Sequence, residues 1–123
     1  MRKPLALVYY SNMLPGGQLT VRLQDLGYRV QSVSSAAHLP PACEKDRPLV
    51  VVAELYPPAD ARAAVARLKG NPATGHIPVL GFSREHDAAA QAHAREAGVT
   101  LLAANDAIVE QLPQLLDQIL QVE

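Results

Sequence analysis

Leu49-Val50-Val51-Val52-Ala53-Glu54-Leu55-Tyr56-Pro57-Pro58 decides the fold of this chain. The apolar run up to Ala53 has no polar residue on either alternating face, so it reads as a strand buried on both sides, the habit of parallel sheets. It closes on a single carboxylate, Glu54, at the carboxyl end of the strand. In open α/β sheets that edge is where ligands gather. Glu54 is therefore the first candidate functional residue, and the rest of the chain tells what surrounds it.

Working outward, Leu5 to Tyr10 is a first strand, also apolar on both faces. A helix follows from Leu14 to about Leu26, with Leu19, Leu23 and Leu26 on one stripe and Gly27 ending it. Tyr28 to Val33 alternates with Arg29 and Gln31, as an edge strand does. Ser34-Ser35 can cap a short helix through Ala36 and Ala37, which Pro40-Pro41 interrupts. Beyond the deciding run, Asp60 to Lys69 is a helix with Ala61, Ala64, Val65 and Leu68 inward, and His76 to Phe82 is a fourth strand. Asp87 to Ala97 is an alanine-rich helix, Thr100 to Ala104 a fifth strand. The last helix starts near Asn105 or Asp106, its stripe including Ile108, Leu112, Leu116 and Ile119, and Pro113 kinks it. Five strands alternating with five helices predict a doubly wound parallel sheet of order 2-1-3-4-5, one α/β domain over residues 1–123.

The bulk composition excludes several functions. With a net charge of −1, the chain has little with which to neutralise phosphates, so neither nucleic-acid nor membrane-surface binding is expected. Its apolar runs are too short to span a bilayer, and the amino terminus lacks the apolar stretch of a signal peptide. The lone Cys43 suits a reducing cytoplasm. His38, His76, His86 and His93 have no mutual metal-ligand spacing. Pro15-Gly16-Gly17 lacks the spacing and the lysine of a phosphate-binding loop. No nucleophile–base–acid arrangement stands out, so no catalytic residue is assigned.

Four local features point to a family in combination. Leu68-Lys69-Gly70-Asn71-Pro72-Ala73-Thr74-Gly75 runs on into His76-Ile77-Pro78-Val79-Leu80; Leu26-Gly27-Tyr28 precedes the second strand; Glu96-Ala97-Gly98 precedes the fifth, with Pro58 just after the third. In this order and spacing they resemble the receiver domain of bacterial two-component response regulators (the CheY-like superfamily) over nearly the whole chain. The resemblance implies the flavodoxin-like receiver fold and five functional positions. The family's acidic pair, which holds Mg²⁺, falls on Tyr9 and Tyr10, and phenols are poor ligands for a hard cation. The phosphoacceptor aspartate falls on Glu54, or on Ala53 after a one-residue slip. The switch hydroxyl falls on Ser83, and the lysine on Asn105 or Ala104. Only the hydroxyl is kept in kind.

The resemblance so modified implies a degenerate pseudo-receiver: not an enzyme, without metal or cofactor, and a protein partner in a bacterial signalling pathway. A homodimer through the fourth helix, fifth strand and fifth helix would use Gln91, Arg95, Leu101, Val109, Leu112 and Leu116. Each residue also has a plainer reading. Glu54 is either a fixed mimic of a phosphorylated aspartate or a hydrated edge group, Ser83 a switch or a turn former, and Tyr9 and Tyr10 a binding surface or filler for a vacated metal site. Two other functions stay open: phosphotransfer at Glu54 helped by Asp60 and Glu85, and a flavodoxin-like ligand site stacked by Tyr9, Tyr10 and Tyr56.

Overall fold

A computed structural model of the chain describes residues 3–11, 13–56, 58–84 and 87–120, with the side chains of residues 13–16 and 58 left aside. Five parallel strands, β1 (Leu5–Tyr9), β2 (Arg29–Val33), β3 (Val50–Glu54), β4 (Val79–Ser83) and β5 (Leu101–Ala104), form one sheet in the order β2-β1-β3-β4-β5. The expected order is the one found. β1 and β3 pair from Ala6↔Val50 to Tyr9↔Ala53, and every residue of both is buried. β2, with its alternating polar residues, lies at the edge and is half exposed.

The pleat sends alternate side chains into two cores. Leu7, Tyr9, Val51, Ala53, Leu55 and Val79 face one side, covered by α2 (Leu39–Asp46), α3 (Pro58–Gly70) and α4 (Ala88–Ala97). Ala6, Val8, Val50, Val52, Leu80 and Phe82 face the other, against Leu19 and Leu23 of α1 (Met13–Asp25) and Leu112, Leu116 and Ile119 of α5 (Leu112–Leu120). Leu26, expected on the α1 stripe, falls past the helix end and is exposed. Gly27 there takes φ 98°, which a Cβ would resist.

The prolines set three boundaries differently from the sequence reading. Pro40 and Pro41 do not break a helix; they lie in the first turn of α2, where the missing N–H has no intrahelical partner to lose. A 3₁₀ turn, Ala36–His38, leads into them, and Ser35 precedes it without a side-chain cap. Pro78 stands before β4 rather than inside it, and its carbonyl accepts from Val51. Pro113 does not kink a long helix. Residues 105–111 wind as turns, with Ile108 N–H donating to Ala104 and Gln111 N–H to Ala107, and α5 begins at Leu112 so that Pro113 again sits in a first turn.

The turn between α3 and β4 is tied by side chains. Thr74 Oγ1 is buried and donates to the Leu68 carbonyl at 2.6 Å; Asn71 Oδ1 accepts from Ala73 N–H at 2.9 Å; Lys69 Nζ donates to the Ile77 carbonyl at 2.6 Å. Desolvation there lowers the Lys69 pKa. Gly98, at the end of α4, approaches the same lysine: it has φ +107°, and a Cβ would stand 2.6 Å from Lys69 Cγ. Gly98→Ala is expected to cost about 1–2 kcal/mol for the left-handed backbone alone. Gly70→Ala, at a position with open space and no positive φ, should gain about 0.4–1 kcal/mol. Urea unfolding of the two variants checks both signs.

Candidate functional site

The carboxyl edge of β1 and β3 brings together the residues singled out in the sequence, but not in the arrangement the sequence suggested. Glu54 closes β3 and is only 3% exposed, so it is not a hydrated edge group. Burying a carboxylate is unfavourable unless it accepts hydrogen bonds. Ser11, in the loop after β1, supplies two: its N–H donates to Glu54 Oε1 at 2.8 Å and its hydroxyl lies 3.3 Å from the same oxygen. The short polar Ser11 next to the strand end was a capping-type signal that the sequence reading passed over.

Tyr9, one of the two positions matched to acidic residues, is 2% exposed and points into the α2–α3 core. Its hydroxyl donates to the Tyr56 carbonyl at 2.6 Å, across 47 residues of sequence. Burial, then the charges of Glu54 and Asp60, push the Tyr9 pKa up, so the phenol stays protonated and remains a donor. Tyr10 turns the other way, half-buried against the α1–α5 core. Tyr56 itself is 57% exposed. The tyrosines therefore do not form one stacking surface: one is core, one is half-buried on the opposite face, one is on the outside.

Ser83 sits one residue beyond the Glu54↔Phe82 pair, opposite Ala104 on β5. Strand alternation sets Phe82 with Glu54 on the α1–α5 side and Ser83 on the α3–α4 side. Ser83 there lines a cleft of about 270 Å³ with Arg62, His93 and Leu55. His93 was read as surface, and it is exposed, but the fold sets it beside this hydroxyl. Asn105, at the lysine position, gives its N–H to the Ser83 carbonyl, while its buried side-chain oxygen has no hydrogen-bond partner among the described residues. A neutral amide thus stands where the resembling family has a cation. His86 and Glu85 lie outside the described residues, and among the described ones no group of three or more His, Cys, Asp or Glu gathers as a metal site.

A second cleft, of about 530 Å³, opens on the α2–α3 side of the same edge between Tyr9, Ser11, Ser34, Ser35, Asp60 and Arg67. Cys43 is far from chemistry: burial first, then Asp46, pushes its thiol up to about 12, which keeps it a neutral core residue.

Comparison with protein-family models finds no match, and comparison with curated protein sequences finds none either. Solved structures match closely in fold. A protein assigned as a response regulator from Chloroflexus aurantiacus superposes with TM-score 0.89 at 21% identity, covering 98% of this chain and 100% of its own. The receiver domain of the sensor histidine kinase PA1611 from Pseudomonas aeruginosa, which carries a magnesium ion in its active-site cleft, gives 0.87 at 16% identity, over 98% of this chain and 99% of its own. A response regulator from Desulfuromonas acetoxidans gives 0.76 at 20%, over 95% of both chains. The chain has the receiver fold, as its sequence resemblance implied.

The donor set of this edge does not fit a magnesium ion. Mg²⁺ asks for oxygens in near-octahedral array, with carboxylates among them. The Tyr9 hydroxyl donates its hydrogen bond to a carbonyl, Tyr10 lies against the opposite core, and Glu54 is engaged by Ser11. Glu54→Ala removes the acceptor of Ser11 and should cost about 1–3 kcal/mol, whereas Glu54→Gln keeps an oxygen there and should cost less; urea midpoints rank the two. Tyr9→Phe should lose about 1 kcal/mol at neutral pH. Because the folded-state pKa of Tyr9 is raised, its contribution is present below pH 10.0, the unfolded value, and is lost as pH climbs through the folded one. Tyr9→Phe should therefore flatten the alkaline fall in stability, leaving the share of Tyr28, whose pKa is also raised.

Proposed function

We propose that this chain is a pseudo-receiver: a signalling module of receiver fold that acts by binding protein partners and does not undergo Mg²⁺-dependent aspartyl phosphorylation. The observation that carries the reading is the clamp on Glu54, a buried carboxylate whose Oε1 is held by the Ser11 backbone and hydroxyl. A phosphoacceptor must meet an incoming phosphoryl group in line, and catalytic geometry tolerates misplacement badly. Glu54 is one methylene longer than aspartate and is fixed from the side of the β1–α1 loop. Tyr9 and Tyr10 supply no carboxylate beside it, and Asn105 supplies no cation. Hydrogen bonds tie the β1 and β3 ends of the edge, giving a static receiver that presents one surface continuously. On this reading the chain is not an enzyme and needs no cofactor.

The output surface is the fourth helix, fifth strand and fifth helix, in the manner of the family it resembles. Leu112 and Leu116 turn to the core and drop out of it; Gln91, Arg95, Leu101 and Val109 stay at or near the surface. The face that remains is mixed rather than apolar, which suits a reversible partner or homodimer better than an obligate one. No described helix is long and apolar enough to cross a membrane.

Amide chemical shifts under Mg²⁺ with beryllofluoride, a phosphoryl mimic, test the proposal. Shifts confined to non-specific ion effects, with no saturable change at Glu54, Ser83 or α5, are the expected outcome. Saturable shifts spreading from Glu54 to α5 would mean that the pocket still switches. Acetyl phosphate should leave the intact mass unchanged while an aspartyl receiver run as positive control gains a phosphoryl group; a gain of one phosphoryl group on this chain would overturn the proposal.

A further inference from the structure

The amino edge of the sheet, opposite the site above, gathers cations around a basin. A basin of about 890 Å³ there is lined by Lys3, Arg29, Arg47, Lys69 and His76, with Asp46 as its acid. Those lysines and arginines are four of the chain's 11, set against one of its 12 acidic residues, in a chain of net charge −1. The floor is apolar: Pro48, Pro78, Ile119 and Leu120 line it, and Leu49 stands 46% exposed within it. We propose that this basin binds an acidic peptide segment of a partner protein, with an apolar side chain seated on Leu49.

Helix dipoles account for part of the charge and not for the rest. Lys69 is in the last turn of α3 and Arg47 caps α2, where cations offset the negative helix ends. Lys69 is moreover occupied, its ammonium donating to the Ile77 and Gly75 carbonyls, so it contributes field rather than contact. Lys3 stands before β1 and Arg29 opens β2, where no helix end calls for them. They hold each other in place, the Arg29 Nε donating to the Lys3 carbonyl at 3.0 Å, and both side chains are exposed.

Arg47 is the second observation. Among the described residues it alone has a positive φ without being glycine, at 47°. A helix end of this geometry favours glycine, because a Cβ is strained there. Arginine at that place gives up stability and gains a guanidinium on the rim of the basin. Strain of this kind is a pointer to function. Guanidinium pairs bidentately with carboxylates, and the apolar floor favours a peptide over a nucleic-acid backbone, whose affinity would rest on cations alone.

The inference does not depend on the state of Glu54, and the two tests use opposite edges. The probe is a fluorescent peptide, Glu-Glu-Leu-Glu-Asp-Leu-Glu-Glu, titrated with the intact chain at low ionic strength while amide shifts are followed. Saturable binding that moves residues 3–5, 29, 47–49 and 76–78, and weakens as salt rises, is the expected result. Arg47→Gly should weaken it about tenfold, the loss of one charge-assisted bond, while leaving the thermal midpoint equal or higher because the strain is relieved. Lys3→Ser, at an exposed position, should weaken binding without changing stability. The proposal is overturned if shifts map instead to Arg62 and Arg67 at the carboxyl edge, if Arg47→Gly binds as well as the parent, or if an oligothymidylate of equal charge competes with the peptide at lower concentration.

Discussion

The pairing of β1 with β3 is the constraint on which the rest of this molecule depends. Both strands are buried on both faces, so every residue of one face must pack under α2–α4 and every residue of the other under α1 and α5. A slip of one residue in this register would turn every side chain of the slipped strand to the other core, moving Tyr9 of β1, for example, to the side of Val52. The register thereby also fixes the edge: Tyr9 ends opposite Ala53, and Glu54 projects one step further, level with Ser11's loop. Site geometry here is a consequence of core packing, not an addition to it.

Much of the fold was legible because the signals were redundant. Buried apolar runs, glycines at helix ends and a polar second strand all pointed to one sheet order. The errors lie where one residue carries two physical meanings. Pro40, Pro41 and Pro113 read as breakers, yet proline is also a good first-turn residue, and which role applies depends on where the helix is started by its neighbours. The same holds for Pro78, which the sequence put inside a strand and the sheet puts just before it.

The site was legible in its residues but not in its wiring. Glu54, Tyr9 and Ser83 were each singled out, and each proved to be at the carboxyl edge. Their surroundings were not foreseen: Tyr56 was grouped with Tyr9 for stacking rather than as a carbonyl acceptor, and Ser11, Arg62 and His93 carry no spacing that ties them to Glu54 or Ser83. The side of the sheet that Ser83 faces follows from strand alternation, but only once the first and last residues of β4 are known. Sequence reading had β4 begin three residues early, which left that alternation without an anchor.

The electrostatics of the two edges make a single argument. Three carboxylates converging at one strand edge repel one another, by about 4 kcal/mol per pair at 4 Å near a protein surface, so such an edge leans on a cation. Here two of the three matching positions are phenols rather than carboxylates, and the one carboxylate is answered by an amide and a hydroxyl. The loops of that edge are tied down, Tyr56 through Tyr9 and Ser11 through Glu54. The opposite edge does the reverse: it gathers like charges, keeps Leu49 exposed and holds an arginine in a conformation that glycine would occupy at less cost. In a chain near neutrality, one end of the sheet is thus tied by hydrogen bonds while the other keeps charge, an exposed leucine and a strained backbone.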